Sequence, residues 1–258
     1  MLHYETDCKK DLQNCGINLV LGGGGARGAF HLGLLHYLDE KNIKINAISG
    51  VSIGAIIAAS YGCGIPPKEQ LRLYESKEFN KIYRINIHRG SLLRIDSDHQ
   101  ILQKLIPYEH FEQLMPKISI TAFDISNTKP VCFSSGSLLQ PLLATSSLPI
   151  FFSPVCIGGN YYVDGGLVDN IPTHPFTKGF TVASNLNPLP RSDFKSGFYK
   201  NIKRSFRQMW LYSSTQGLAK ADMEITTKKL HRFSIIKKQN LQQMFDLGYE
   251  QAQESFKL

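Results

Sequence analysis

Three short segments carry residue types that could do chemistry together. A serine flanked by glycines, Gly50-Val51-Ser52-Ile53-Gly54, follows the glycine run Gly22-Gly23-Gly24-Gly25-Ala26-Arg27-Gly28, and an Asp164-Gly165-Gly166 turn comes much later. They offer a nucleophile, an anion cradle and a base. A serine hydroxyl is a weak nucleophile unless a strained, exposed turn presents it beside a proton acceptor, and glycines two places before and after it let strand and helix come close there. A glycine loop leaves its backbone N–H groups open, so it can cradle a phosphate or the oxyanion of an acyl-transfer intermediate. An Asp before Gly-Gly is ordinarily a turn residue that bonds its own backbone, and the same turn can aim its carboxylate at Ser52.

These residues need elements to position them. Residues 17–21 form a strand-like apolar run directly before the glycines, and apolar spacing through Phe30, Leu34 and Leu38 predicts a helix over 26–40. Residues 44–49 alternate as a short strand and 53–61 read as a buried helix rich in Ala and Ile, so Ser52 falls on a strand-to-helix elbow. The helix N-terminus there favours negative charge developing on a bound substrate. Gly23-x-Gly25-x-x-Gly28 matches the dinucleotide fingerprint, but the second strand ends at Ser49-Gly50 with no acid, and the Gly-Lys-Ser/Thr ending of a P-loop is absent. Histidine is the alternative base: in a Ser, acid, His order only His174 and His231 follow Asp164, and neither sits in a motif. Asp169 is the acid nearest Asp164 and reads as a structural hydrogen-bond acceptor.

In this order, Gly-Gly-Gly-Gly-Ala-Arg-Gly, Gly-Val-Ser-Ile-Gly and Asp-Gly-Gly resemble the patatin-like phospholipases, serine lipid acyl hydrolases that use a Ser-Asp dyad. The resemblance runs through Pro149, Phe152 and Pro154 to Asn170 and Pro172, covering residues 17–172. It implies Ser52 as nucleophile, Asp164 as base and the N–H groups of Gly23, Gly24 and Gly25 as oxyanion hole. Arg27, Gly28, Gly50, Gly54, Gly165 and Gly166 would support the motifs, and no cofactor is implied. The substrate would be a phospholipid, lysophospholipid or related acyl lipid, with a soluble ester or thioester as alternative. A lipid- or nucleotide-binding module with a vestigial dyad is the reading of a different class. Val51 and Ile53 depart from the small residues usual beside the family's serine, and Ser147 stands where Ala is common.

Composition agrees with one globular enzyme domain. The 258 residues are 42% hydrophobic, enough to bury a sizeable core, and alternation of strands with helices predicts an α/β fold with a mostly parallel central sheet and helices on both faces. The expected organisation is a polar N-terminal extension over 1–16, a catalytic core over 17–190 and a basic helical segment over 191–258 packed on the same domain. Residues 1–14 lack the apolar stretch of a secretory signal, and five scattered cysteines read as reduced thiols of a cytoplasmic protein. No cluster has metal-ligand spacing, so no metal is expected. The uncharged stretches 45–67 and 130–163 are broken by glycine and proline and suit buried structure, the second offering Leu138, Leu139, Leu142, Leu143, Phe151 and Phe152 to an acyl pocket. From Arg191 onward there are thirteen Lys and Arg against six Asp and Glu, which is most of the net charge of +8. That excess beside Ile202, Phe206, Met209 and Trp210 suits either peripheral contact with an anionic membrane or a solvated helix face. Residues 68–94, with Tyr74, Phe79 and Tyr83, read as a lid, an interfacial segment or a packed helix. No nucleic-acid-binding motif accompanies the charge, so no nucleic-acid partner is expected.

Overall fold

The computed structural model describes residues 15–85, 93–96, 99–188 and 197–257. The expected N-terminal extension lies outside them apart from its last two residues, as do residues 191–196. The strands are β1 (Ile17–Leu21), β2 (Ile45–Gly50), β3 (Tyr83–Ile85), β4 (Leu93–Ile95), β5 (Lys117–Asp124), β6 (Lys129–Phe133), β7 (Val155–Ile157), β8 (Asn160–Asp164), β9 (Thr181–Ser184) and β10 (Met223–Ile225). The helices are α1 (Ala29–Glu40), α2 (Ile53–Gly62), α3 (Pro67–Glu75), α4 (Lys77–Asn80), α5 (Gln100–Leu105), α6 (Leu139–Thr145), α7 (Phe198–Leu218) and α8 (Leu241–Ser255).

The central sheet runs β10-β9-β1-β2-β5-β8-β7, with β6 on the other edge of β5. From β10 to β5 all neighbours are parallel, while β6, β8 and β7 add antiparallel pairs. β1 lies between β2 and β9, where the chain order reverses, and ligands of open α/β sheets bind beyond the carboxyl ends of strands at such a point. A parallel strand covered on both faces reads as a continuous apolar run, which is what residues 17–21 are: all five are buried. Leu19, Leu21 and Val182 join the main core with α1 and α2, and Val20 and Ala183 meet Ile171, Phe176 and Leu218 on the opposite face. The sheet is thus sandwiched as the alternation of elements predicted.

Three local details differ from the sequence reading. The helix expected from residue 26 begins at Ala29, because Gly25–Gly28 form a 3-10 turn whose Ala26 N–H is captured by the Ile235 carbonyl. The C-terminal segment is not helical throughout: it supplies β10 to the sheet edge before α8 returns to pack on α1. Within residues 67–105, α3, α4, the antiparallel pair β3–β4 and α5 lie beside the core, with 86–92 and 97–98 outside the described residues.

Candidate active site

β2 ends at Gly50 and the chain turns at once into α2, so Ser52 occupies the elbow. It adopts φ 53° and ψ −127°, a left-handed conformation that costs a non-glycine residue about 1–3 kcal/mol and persists only where surroundings enforce it. The enforcement is visible. The Val51 N–H donates to the Leu21 carbonyl, and the Ser52 N–H donates to Thr145 Oγ1 at 2.8 Å, which itself donates to the Thr121 carbonyl at 2.6 Å. Gly54 must lack a side chain, since a Cβ there would run into the Leu21 carbonyl oxygen, and one on Gly50 would come within 2.7 Å of Ala55.

Asp164 arrives from the other direction. β8 pairs with the same edge of β5 as β2, one after the other: Gly50 opposes Ile120 and Asp164 opposes Ala122. β2 and β8 point their C-terminal ends at each other across Thr121, and this head-on meeting brings Ser52 and Asp164 together. The Ser52 side chain stands close enough to the Asp164 carboxylate to favour its charged form, and Asp164 Oδ1 accepts from the Gly166 N–H at 2.8 Å. Burial raises the carboxyl pKa to about 6, above the ordinary 3.8, against these two contacts, which favour the charged form. Gly165 lets the turn press on the Thr121 carbonyl, and Gly166 lies between Asp164 and Asn170.

The glycine loop after β1 is held on both sides of one residue. Gly23 donates its N–H to Asn170 Oδ1 at 3.1 Å, and its carbonyl accepts from Asn187 Nδ2 at 2.7 Å. The Gly23 N–H, expected to serve an oxyanion, donates here to Asn170 Oδ1. Among the described residues the N–H groups of Gly24, Gly25 and Ile53 make no hydrogen bond, and all three residues line the same cavity as Ser52. Arg27 is buried and spans from the loop to the Leu186 and Phe233 carbonyls at 3.1 and 2.9–3.1 Å, so its role is to clamp the loop to later segments. Gly28 packs against Ile53 of the elbow helix. Beneath the loop, fully buried His31 bonds the Gly22 carbonyl through Nε2 and Ser184 Oγ through Nδ1, both at 2.8 Å. A carbonyl only accepts, so Nε2 carries the proton, and burial lowers the imidazole pKa to about 4, keeping it neutral.

These groups open on a cavity of about 400 Å³. Phe151 and Phe152 line it, but Leu138 and Leu142 are buried in the core, and half-buried Leu139 and Leu143 do not reach it. Much of the remaining apolar wall comes from Tyr74, Phe79, Ile82, Leu105, Trp210 and the segment 235–241. Neither His174 nor His231 lines the cavity; His174 Nδ1 sits 3.0 Å from Asp169 Oδ2, and that carboxylate raises the imidazole pKa to about 9. Thr145, His31, Asn187 and Lys238 have no motif of their own. His31, Thr145 and Lys238 lie in stretches whose spacing or composition already had another reading, and Asn187 lies in none. The described residues hold no cluster of His, Cys, Asp or Glu fit for a metal ion.

Comparison with known proteins agrees with this geometry. The chain is 31% identical over 177 residues to a lysophospholipase NTE1 of Cryptococcus neoformans var. neoformans, which covers 62% of this chain and 10% of that protein. A probable lipid hydrolase, 463L of Invertebrate iridescent virus 6, is 26% identical over 86% of this chain and 89% of its own length. This chain thus spans about a tenth of its fungal relatives and most of the viral one. Among solved structures, VipD of Legionella pneumophila superposes with a TM-score of 0.55 at 15% identity, covering 94% of this chain and 67% of that one, a likeness of fold. The sequence profile of the patatin-like phospholipases matches residues 19–177, a span that opens within β1, takes in both the glycine loop and the elbow, and closes beyond the Asp164 turn. With that match over more than half its length, the chain belongs to the patatin-like phospholipase family.

Proposed function

We propose that this chain hydrolyses carboxylic ester bonds of phospholipids, lysophospholipids or related acyl lipids through an acyl-enzyme on Ser52. The observation that carries this reading is Ser52, strained on its elbow, with its side chain beside the buried Asp164 carboxylate and open to an apolar cavity that both residues line. Asp164 takes the hydroxyl proton as Oγ attacks the ester carbonyl carbon, and the carbonyl electron pair moves onto oxygen. The N–H groups of Gly24 and Gly25 in the loop and of Ile53 at the N-terminus of α2, which make no hydrogen bond among the described residues, are the donors available to that oxyanion. Collapse breaks the ester C–O bond, the leaving alkoxide receives the proton from Asp164, and the acyl chain stays on Ser52. Water, deprotonated by Asp164, then releases the fatty acid and restores the serine.

The relatives' names, lysophospholipase and lipid hydrolase, support acyl lipids as substrate. Peripheral docking on an anionic bilayer is part of the proposal: Ile150, Phe151 and Ile236 are exposed on segments that line the cavity, Met209 and Tyr212 are exposed on α7, and the C-terminal third carries the basic excess. No helix of the described residues is long and apolar enough to cross a membrane. The direct test is labelling with a fluorophosphonate probe together with release of fatty acid from lysophospholipid. Wild type should label and hydrolyse, and Ser52→Ala should do neither. A folded wild type that neither labels nor hydrolyses any ester would leave only a binding module.

A further inference from the structure

Besides Asp164, one charged side chain lines the cavity among the described residues: Lys238. It lies in the strap 233–241, which crosses the glycine loop by accepting Arg27 at the Phe233 carbonyl and the Ala26 N–H at the Ile235 carbonyl. Its ammonium donates to the Tyr74 carbonyl at 2.8 Å and stands 4.5 Å from the centre of the Phe79 ring. Both partners are wall residues of the cavity. No carboxylate pairs with Lys238 among the described residues, and burial pulls its pKa down, the mark of an ammonium short of compensating charge. A half-buried cation fixed by a carbonyl and an aromatic face still has two N–H donors to give. An apolar acyl chain alone gains nothing from such a group.

We propose that Lys238 determines specificity: it binds an oxyanion of the substrate, the phosphate of a phospholipid or lysophospholipid, so that anionic acyl esters are hydrolysed in preference to neutral ones of the same chain. This rests on the ester-hydrolase reading. The released fatty acid is the other source of an oxyanion, but its carboxylate is generated at Ser52, whereas a head-group phosphate is set apart from the scissile carbonyl. Lys238 likewise contacts Tyr74 and Phe79 and not the dyad.

The test compares kcat/KM on oleoyl lysophosphatidate, on monooleoylglycerol and on p-nitrophenyl butyrate, for wild type, Lys238→Met and Lys238→Arg. Loss of a charge-assisted contact predicts that Lys238→Met lowers the lysophosphatidate to monooleoylglycerol ratio by about tenfold or more, with p-nitrophenyl butyrate unchanged and Lys238→Arg near wild type. An equal fall on all three substrates makes Lys238 only a pin for the strap and overturns the proposal. An unchanged ratio accompanied by weaker inhibition by oleate would assign the cation to the product carboxylate and also overturn it. A wild type inert on all three esters refutes the hydrolase reading itself, which separates the two failures.

Discussion

At the scale of single residues, the chemistry turns on one carboxylate whose environment opposes its charge. As base, Asp164 must be ionised in the free enzyme, and burial moves its titration to about pH 6, so kcat/KM on a soluble ester should rise through that pH and level off above it. A profile flat from pH 5 to 8 would show that Asp164 is not the titrating base. Asp164→Asn and Ser52→Ala should each abolish hydrolysis, and the double variant should be little worse than either, as for members of one catalytic unit. The same pKa shift has a stability consequence. The folded Asp164 holds its proton to higher pH than the unfolded chain does, so its contribution is present below about pH 4 and lost as pH rises through 6. Asp164→Asn, inactive as it is, should therefore gain stability relative to wild type between pH 4 and 7, by an amount on the order of 3 kcal/mol for a two-unit shift. His31 acts with the opposite sign: its pKa falls to about 4, so its contribution is present above about pH 6.5 and lost on acidification. Thermal melts of Asp164→Asn and His31→Gln across that range should show slopes of opposite sign once each partner is removed.

At the scale of elements, the elbow, the glycine loop and the C-terminal helix form one mechanical unit. Thr145 at the end of α6 satisfies the Ser52 N–H and holds the Thr121 carbonyl between β2 and β8. Thr145→Val keeps the volume and removes both bonds, leaving a backbone donor unpaired at a cost of about 1–3 kcal/mol. The expected outcome is a lower kcat with KM little changed, and an unaltered kcat would show that the elbow holds its strain without Thr145. α8 reaches α1 through two glycines that face each other's backbone: a Cβ on Gly33 would strike the Phe245 carbonyl oxygen, and one on Gly248 the Phe30 carbonyl oxygen. Gly248→Ala must therefore push α8 outward and strain the strap that Arg27 ties to the loop. Denaturation midpoints should fall clearly for Gly248→Ala, and less for an alanine at Gly136, which meets no neighbour and carries only the strain of a φ of +76°, about 1–2 kcal/mol.

The whole molecule combines an apolar cavity, a rim of exposed apolar side chains and a strongly uneven charge. If it docks on anionic lipid, vesicle binding should weaken from about 0.05 to 0.5 M salt as the Debye length shrinks. Neutralising Lys200, Lys203, Arg204 and Arg207 should reduce binding to phosphatidylserine vesicles while sparing a small soluble ester. The side chains of Lys200, Lys203 and Arg207 lie outside those described, so the expectation rests on the charge of the segment. Sedimentation with vesicles decides it: equal binding by the neutralised variant would make α7 a solvated helix and leave the hydrolase proposal untouched.

What the sequence determines by itself is local. Glycine, serine and aspartate constrain backbone and hydrogen bonds within a few residues, so the strand-loop-helix about Gly22–Gly28, the elbow at Ser52 and the turn at Asp164 are legible from residue type and spacing, as is the alternation that makes the fold α/β. The tertiary structure decides what depends on distant segments meeting. Only the shared edge of β5 aims β2 and β8 at each other, and only Asn170 and Asn187, far along the chain, occupy the N–H and carbonyl of Gly23, while the N–H groups of Gly24 and Gly25 make no hydrogen bond among the described residues. The cavity wall shows the same division. Apolar composition marks Leu138, Leu142, Phe151 and Phe152 alike, and packing alone sends the leucines into the core, the phenylalanines to the pocket and Lys238 in among them. Hydrophobic burial is non-directional, so which buried side chain faces a void is settled by how elements pack and not by the residue's own character.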